Sequence, residues 1–314
     1  MMRKKTTGRG MHVSRPRPSR RPTIKRSIYA RGAQRFITLF CILVACVVFA
    51  IGYLNQLHDI TPVPEGEIRI HFIDVGQGES ILIQSTDHAV LIDAGPVPVG
   101  TGLAGYIEEL GITTLNYVVA THPHADHIGG MPAVLDRIQV QELWMPDVTH
   151  DTAAFERFLD AIERNGLEIT TIQAGARMSA GPIQMIAVAP NSGGHNNLND
   201  YSIVLHMQFG ETSFLFTGDA EAASEREMID AGWNLRADVL KAGHHGSRTS
   251  STDAFLDVVR PDAVVIQSAA GNQFGHPHQE VLDRFVERDI IVLRNDEMGT
   301  IVLLTNGVGI YLYE

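Results

Sequence analysis

Between Thr121 and Gly130 the chain reads Thr-His-Pro-His-Ala-Asp-His-Ile-Gly-Gly, so that His122, His124, Asp126 and His127 set four metal-competent side chains within six residues. Imidazole nitrogens and carboxylate oxygens crowded on one short segment suit divalent cations. With Pro123 stiffening the loop, His122 and His124 can face one cation while Asp126 and His127, across the turn, face a second. The apolar, β-branched run 116–120 before them reads as a buried strand, which puts the ligands on the loop at its end. The pattern recurs twice. Phe214-Leu215-Phe216-Thr217-Gly218-Asp219 ends a strand in a carboxylate able to bridge two cations. Residues 237–247 run from an apolar strand through Gly243 to His244 and His245, one of which should bind the second cation. A lone aspartate or histidine in such a place is usually a turn or capping residue. Three strand-end clusters in one chain point instead to a two-metal site. Two cations ~3.5–4 Å apart convert a water into a nucleophile near neutral pH and stabilise charge on the attacked centre, an arrangement suited to in-line phosphodiester hydrolysis.

The H-x-H-x-D-H spacing of His122, His124, Asp126 and His127 resembles the signature of the metallo-β-lactamase superfamily. More narrowly, Phe72-Ile73-Asp74-Val75-Gly76-Gln77-Gly78-Glu79-Ser80, the Leu91-Ile92-Asp93-Ala94-Gly95 turn, Thr217-Gly218-Asp219 and His244-His245-Gly246-Ser247 together resemble the hydrolase domain of the ComEC DNA-uptake proteins, over roughly residues 68–314. Glu79 stands where that family more often has aspartate, and the carboxylate is kept. Those proteins also carry a many-helix membrane channel, for which this chain has no room, so the resemblance implies the enzyme part alone beside a separate channel. It further implies a four-layer αββα sandwich, two divalent ions, Zn²⁺ or Mn²⁺, and DNA as the phosphodiester.

The resemblance also assigns roles around the ligands. Superfamily members commonly place a further histidine between the first cluster and the bridging aspartate. Here His195 is the candidate, or Asn199 and Asp200 offer oxygen, which favours Mn²⁺ over Zn²⁺. Asp93 is expected behind a ligand imidazole as hydrogen-bond acceptor, and Asp74 and Gln77 as supports. Asp126, His276 and His278 are the expected catalytic residues, the last two, in Phe274-Gly275-His276-Pro277-His278, protonating a leaving oxygen or holding a phosphate. Lys241, Ser247 and Arg248 are expected on a small positive rim that meets substrate.

Charge is unevenly spread. Residues 1–57 hold 12 of the 25 Lys and Arg and no acid, whereas residues 58–314 hold the other 13 and all 36 Asp and Glu. Between the basic stretch, 1–35, and the acidic part lie 19 uncharged residues, 36–54, long enough to cross the ~30 Å hydrocarbon core as a helix. The positive-inside bias keeps the tail cytoplasmic and sends everything after Leu54 outside. No small-x-small cleavage site followed by a polar stretch is evident before Tyr53, and the apolar run continues past Cys46, against a lipobox at Leu43-Val44-Ala45-Cys46. The basic tail is expected to set topology and meet anionic lipid. Residues 55–67, with Pro62 and Pro64, read as a short stiff tether. Both cysteines, Cys41 and Cys46, fall in the span, so disulfides and thiolate ligands are excluded beyond it.

The remaining ~250 residues suffice for one α/β domain. Strands are predicted at 68–74, 80–84, 89–93, 116–120, 168–172, 183–189, 202–208, 213–217 and 238–241, and the resemblance implies one more at 263–267. Helices are predicted at 152–164, burying Phe155, Phe158, Leu159 and Ile162, and at 279–289, burying Leu282, Phe285 and Val286. Strands followed by helices in two successive halves suit two packed sheets with helices outside. Composition, motifs and resemblance converge on a membrane-anchored, extracytoplasmic, metal-dependent nuclease or phosphodiesterase. The alternatives are another hydrolase on the same scaffold, a lactonase, β-lactamase or wall-polymer phosphodiesterase, and a non-catalytic binding module, against which the intact ligand set argues. An acidic domain opposes a polyanionic substrate, so weak, local binding is expected.

Overall fold

The computed structural model describes residues 62–313. The expected tail, the span of 36–54 and most of the tether lie outside the described residues, among which no helix is long and apolar enough to cross a membrane.

Two sheets form the centre. The first contains β1 (Ile68–Phe72), β2 (Ile81–Gln84), β3 (Ala89–Ile92), β4 (Thr114–Val119), β5 (Gln139–Met145) and β6 (Ile169–Thr171). The second contains β7 (Arg177–Ala180), β8 (Ile183–Ala189), β9 (Val204–Phe209), β10 (Thr212–Phe216), β11 (Val239–Lys241), β12 (Ala263–Ile266) and β13 (Ile291–Arg294). The chain then returns to the first sheet as β14 (Ile301–Thr305) and β15 (Ile310–Leu312), giving the orders β15-β14-β1-β2-β3-β4-β5-β6 and β13-β12-β11-β10-β9-β8-β7. β3 to β6 are parallel, and so are β10 to β13. Parallel strands align their carboxyl ends along one edge, and loops leaving that edge are where ligand sites form in α/β sheets.

Eight helices accompany the sheets among the described residues: α1 (Gly100–Glu109), α2 (Ala125–Ile128), α3 (Met131–Leu135), α4 (Ala153–Arg164), α5 (Ala222–Asp230), α6 (Asp253–Val259), α7 (Gln279–Val286) and α8 (Asn295–Met298). Three apolar clusters define the layers. Leu103 and Ile107 of α1, Val134 of α3 and Phe155 and Phe158 of α4 pack on Leu91, Val118 and Leu143 of the first sheet. Phe72, Ile81 and Val119 meet Phe214, Phe216 and Val239 between the sheets. Met228 of α5, Phe255 of α6 and Phe285 of α7 cover Leu215, Leu240 and Val264. The order helix, sheet, sheet, helix is the expected αββα sandwich.

Differences from expectation are local. Thr152 caps α4, its hydroxyl accepting from the Phe155 N–H, but Leu159 is exposed and Ala161 takes its place in the core. In α7 Val286 is 69% exposed and Val281 is buried instead, because the helix ends at Val286 and presents a narrower apolar stripe. Strands β5, β7 and β13 to β15 were not among those expected; β5 begins with exposed Gln139, Gln141 and Glu142, which break the apolar alternation and hide the buried Leu143-Trp144-Met145 end.

Candidate metal centre

Each ligand candidate stands at the carboxyl end of a strand. β3 leads to Asp93, β4 to His122, His124, Asp126 and His127, β10 to Asp219, β11 to His244 and His245, and β12 to the loop carrying His276. Left-handed backbone conformations sharpen these exits. Asp93 has φ 55°, and His244 and His245 are consecutive left-handed residues at φ 45° and 55°. Such conformations cost non-glycine residues on the order of 1 kcal/mol or more each and concentrate where side chains must be aimed. Here the double turn drives His245 inward, to 1% exposure, and leaves His244 at the rim. Gly218 also has φ 51°, and a Cβ there would sit 3.0 Å from that of Thr121. Only glycine lets β10 deliver Asp219 against the first motif loop.

The ring and carboxylate atoms converge. His127 Nε2 lies 3.3 Å from Asp219 Oδ2, His245 Nε2 lies 3.3 Å from Asp126 Oδ2 and 3.6 Å from Asp219 Oδ1, and His122 Nε2 is 2.9 Å from His124 Nδ1 and 3.8 Å from Asp219 Oδ2. Two groups result, Asp126-His127-Asp219-His245 and His122-His124-Asp219, each with its ligand atoms within 4.8 Å of one another and with Asp219 common to both. Of the histidine pair after β11, His245 joins the first group. His244 turns to Glu221, its Nδ1 at 2.9 Å, and to Thr249.

Behind these atoms, hydrogen bonds fix the rings. Asp93, fully buried, accepts from the Thr121 N–H at 2.8 Å, the Thr121 hydroxyl at 2.6 Å and His127 Nδ1 at 2.6 Å, so the imidazole's Nε2 faces Asp219. The Gln267 carbonyl holds His245 Nδ1 at 2.9 Å, and Ser202 Oγ accepts from the Asp219 N–H at 3.1 Å and lies 3.4 Å from His122 Nδ1. Carboxylates tune the centre. Burial alone would lower the His127 imidazole, but Asp219 and Asp93 hold it well above its ordinary value. Burial would raise the Asp219 carboxyl, yet His127, His245 and His244 hold it well below. His122 is pushed down, by burial first and then by His127. His276, whose ring lies 5.3 Å from that of His244 and 6.3 Å from that of His245, is lowered to about 4 by burial and these neighbouring imidazoles.

Several expected roles are corrected by this geometry. Lys241 is not on the rim: it is fully buried, its ammonium paired with the equally buried Glu79 and donating to the Ala242 carbonyl at 2.9 Å. A β11 residue pointing between the sheets has no route to substrate. Ser247 is buried too and bonds Thr249 Oγ1 at 2.9 Å, leaving Arg248 as the exposed cation, 3.4 Å from Glu280. Asp74 is exposed and caps its own loop, accepting from the Gly76 N–H at 3.0 Å rather than supporting a ligand. His195 is drawn away to Glu227, at 3.6 Å, and packs edge-on against Tyr201, so the His122-His124-Asp219 group has no third imidazole among the described residues. Asn199 donates to Glu221 at 2.9 Å and lies 3.3 Å from His244 Nδ1, while Asp200 accepts from the Glu221 and Ser224 N–H groups. The roles of Thr121, Ser202, Glu221 and Gln267 went unread because hydroxyls, carbonyls and a carboxylate two residues after Asp219 carry no spacing signal of their own. His150, whose ring lies 5.5 Å from that of His124, was missed for the same reason.

A two-sheet αββα fold that gathers imidazoles and carboxylates at the carboxyl ends of its parallel strands is a metallo-β-lactamase fold. The metallo-beta-lactamase superfamily model matches residues 73–269, and the chain belongs to that family. Among curated relatives it is 31% identical over 260 residues to ComE operon protein 3 of Bacillus subtilis, covering 77% of this chain and 34% of that protein. It is 30% identical over 241 residues to Competence protein ComA of Neisseria gonorrhoeae, covering 76% and 32%. It is 31% identical over 224 residues to Recombination protein 2 of Haemophilus influenzae, covering 69% and 26%. The match thus spans about a third of the length of these competence-type relatives. Among solved structures, the metallo-beta-lactamase fold protein YhfI from Bacillus subtilis aligns with a TM-score of 0.53 at 16% identity, over 76% of this chain and 100% of that one, which supports the fold.

Proposed function

We propose that this chain is a metal-dependent phosphodiesterase acting on DNA, anchored through residues 36–54 with its catalytic domain outside the cytoplasmic membrane. One observation carries the metal-dependent reading. His127 Nε2, His245 Nε2 and Asp219 Oδ1 are buried without a hydrogen-bond partner, although all three face one another. Buried polar atoms are normally satisfied, and a divalent cation accepting their lone pairs answers this set. Two cations, Zn²⁺ or Mn²⁺, fit the two groups that share Asp219.

When bound, such cations would supply Lewis acidity and an activated water. The chain's own residues do the rest. Asp93 and the Gln267 carbonyl fix which nitrogen His127 and His245 present, and Ser202 holds the Asp219 backbone. His276 and His278, rings 4.9 Å apart, flank the centre on the side of the β12 loop. His276 is neutral in the free protein at neutral pH; a phosphodiester anion beside it favours the protonated ring, which can then give its proton to a leaving oxygen. The competence-type relatives favour DNA. So little free cationic charge remains that affinity must be low: residues 62–313 carry 13 Lys and Arg against 34 Asp and Glu, and Arg137, Arg164, Lys241, Arg248, Arg288 and Arg294 are already ion-paired.

The test is a metal-reconstituted assay of the purified chain on single- and double-stranded DNA, bis-p-nitrophenyl phosphate, a lactone and a β-lactam. Cleavage of DNA and of the small phosphodiester, abolished by chelation, is expected. Lactone or β-lactam turnover with no phosphodiester cleavage under any divalent metal would reject the reading.

A further inference from the structure

The loop after β12 carries a residue that the chemistry above does not use. Phe274 is 53% exposed. Single exposed aromatics are ordinary on loose loops, but this loop is tied down. Asn272 Oδ1 accepts from the N–H groups of Phe274 and His276, each at 3.1 Å, and Asn272 Nδ2 donates to the carbonyls of Ala269 and His276 at 2.8 and 2.5 Å. The Ala269 N–H reaches Gln77 Oε1 at 3.4 Å, which links the loop to the glycine-rich turn before β2. Phe274 is therefore held at a fixed place without a core to fill.

That place adjoins the metal centre. The Phe274 ring lies 5.7 Å from His276 at an interplanar angle of 26°, and His276 lies 6.3 Å from His245 at 30°. One face of the phenyl ring is thus backed by an imidazole, and the ring stands two stacking steps from a metal-facing histidine. The site meanwhile lacks the cationic surface that usually holds a nucleic acid, Arg248 being the exposed cation beside it and already near Glu280. Stacking needs no charge and no particular sequence, and is worth about five- to 150-fold in affinity per base.

We propose that Phe274 is a stacking platform for an unpaired nucleobase adjacent to the scissile phosphate, so that the substrate is single-stranded DNA or a frayed duplex end. A base inside a closed duplex has both faces covered and cannot reach the ring. This inference rests on the phosphodiesterase reading and adds the strand state of the substrate and the residue that selects it.

Short single-stranded oligonucleotides with 2-aminopurine at successive positions report the stack directly, because its fluorescence is quenched on an aromatic face. The metal-loaded chain should quench one position. Phe274→Ala should remove that quenching, and Phe274→Trp should keep it. In turnover, placing an abasic residue at the same position should raise KM about tenfold for the unaltered chain and for Phe274→Trp, and hardly at all for Phe274→Ala. A flat quenching profile, or equal KM for intact and abasic strands, would overturn the inference while cleavage of both strands left the phosphodiesterase reading standing. Quenching at one position with no cleavage of any phosphodiester would do the reverse, placing the base as proposed and removing the hydrolytic role.

Discussion

Lys241→Met should destabilise the protein by about 4–5 kcal/mol at pH 7, and by progressively less as pH falls. In the native protein the Lys241 ammonium and the Glu79 carboxyl are both fully buried and paired with each other. Without the ammonium, Glu79 must stay charged in a low-dielectric interior or take up a proton. An unpaired buried charge costs several kcal/mol or more. Protonating a carboxyl of ordinary pKa ~4.3 at pH 7 costs about 3.7 kcal/mol, at ~1.4 kcal/mol per unit, so the proton route limits the loss. The Ala242 carbonyl, which accepts from the ammonium at 2.9 Å, adds about 1 kcal/mol. In the variant the folded-state pKa of Glu79 lies above the unfolded one, so the folded chain binds more protons between the two values. The penalty therefore grows by about 1.4 kcal/mol per pH unit in that window and falls to the carbonyl's share of about 1 kcal/mol below pH ~4.3. Lys241→Met combined with Glu79→Gln should cost only about 1–2 kcal/mol, without the slope, since breaking one half of a buried pair is far worse than replacing both. Denaturant unfolding of the metal-free protein, followed by the fluorescence of Trp144 and Trp233 at several pH values, measures both. A pH-independent penalty in the single variant, or a double variant as unstable as the single one, would refute the reasoning.

Asp126→Ala or His127→Ala should abolish hydrolysis and lower bound metal while circular dichroism stays unchanged; full activity after chelation would contradict the metal assignment. His245→Ala should lose metal by elemental analysis, whereas His244→Ala, which removes a rim imidazole bonded to Glu221 and Thr249 and outside both ligand groups, should keep the stoichiometry; the opposite pattern would exchange their roles. Burial, helped by Arg69, lowers the His71 imidazole to about 4, so the unfolded chain takes the proton first. Stability from this group is complete above pH ~6.5 and falls by about 3 kcal/mol as pH drops toward 4; His71→Gln should remove that component, and melting curves with the same acid slope in both proteins would disprove it. A reporter fused after Glu314 should be exported and the domain digested by external protease in intact cells, and a protected domain would reverse the proposed topology.

What could be read from the sequence, and what could not, divides by the range of the interactions. His122, His124, Asp126, His127, Asp219 and His245 come together as their motif spacing implied, because each motif sits on a strand whose apolar run and terminal glycine or turn are local signals. Lys241 misled because a lysine beside paired histidines reads as a surface cation, and its partner Glu79 is 162 residues away. His195 was pulled aside by Glu227, a contact no local pattern announces. The same holds for β14, whose apolar residues say strand but do not say which sheet: its register, Ile68 opposite Thr305 through Phe72 opposite Ile301, is set across the whole domain.

That returning strand also fixes an order of events. β1 lies between β2 and β14, so while the chain is being synthesised one edge of β1 stays bare until residues 301–305 emerge. Exposed strand edges invite pairing with other chains, and this one is covered only after every element of the second sheet has been made. The ligands are split between the sheets, His122 to His127 on one and Asp219 and His245 on the other. Assembly of the two ligand groups is therefore a late property of the nascent chain: a product that ends before Asp219 holds half a centre on an open layer.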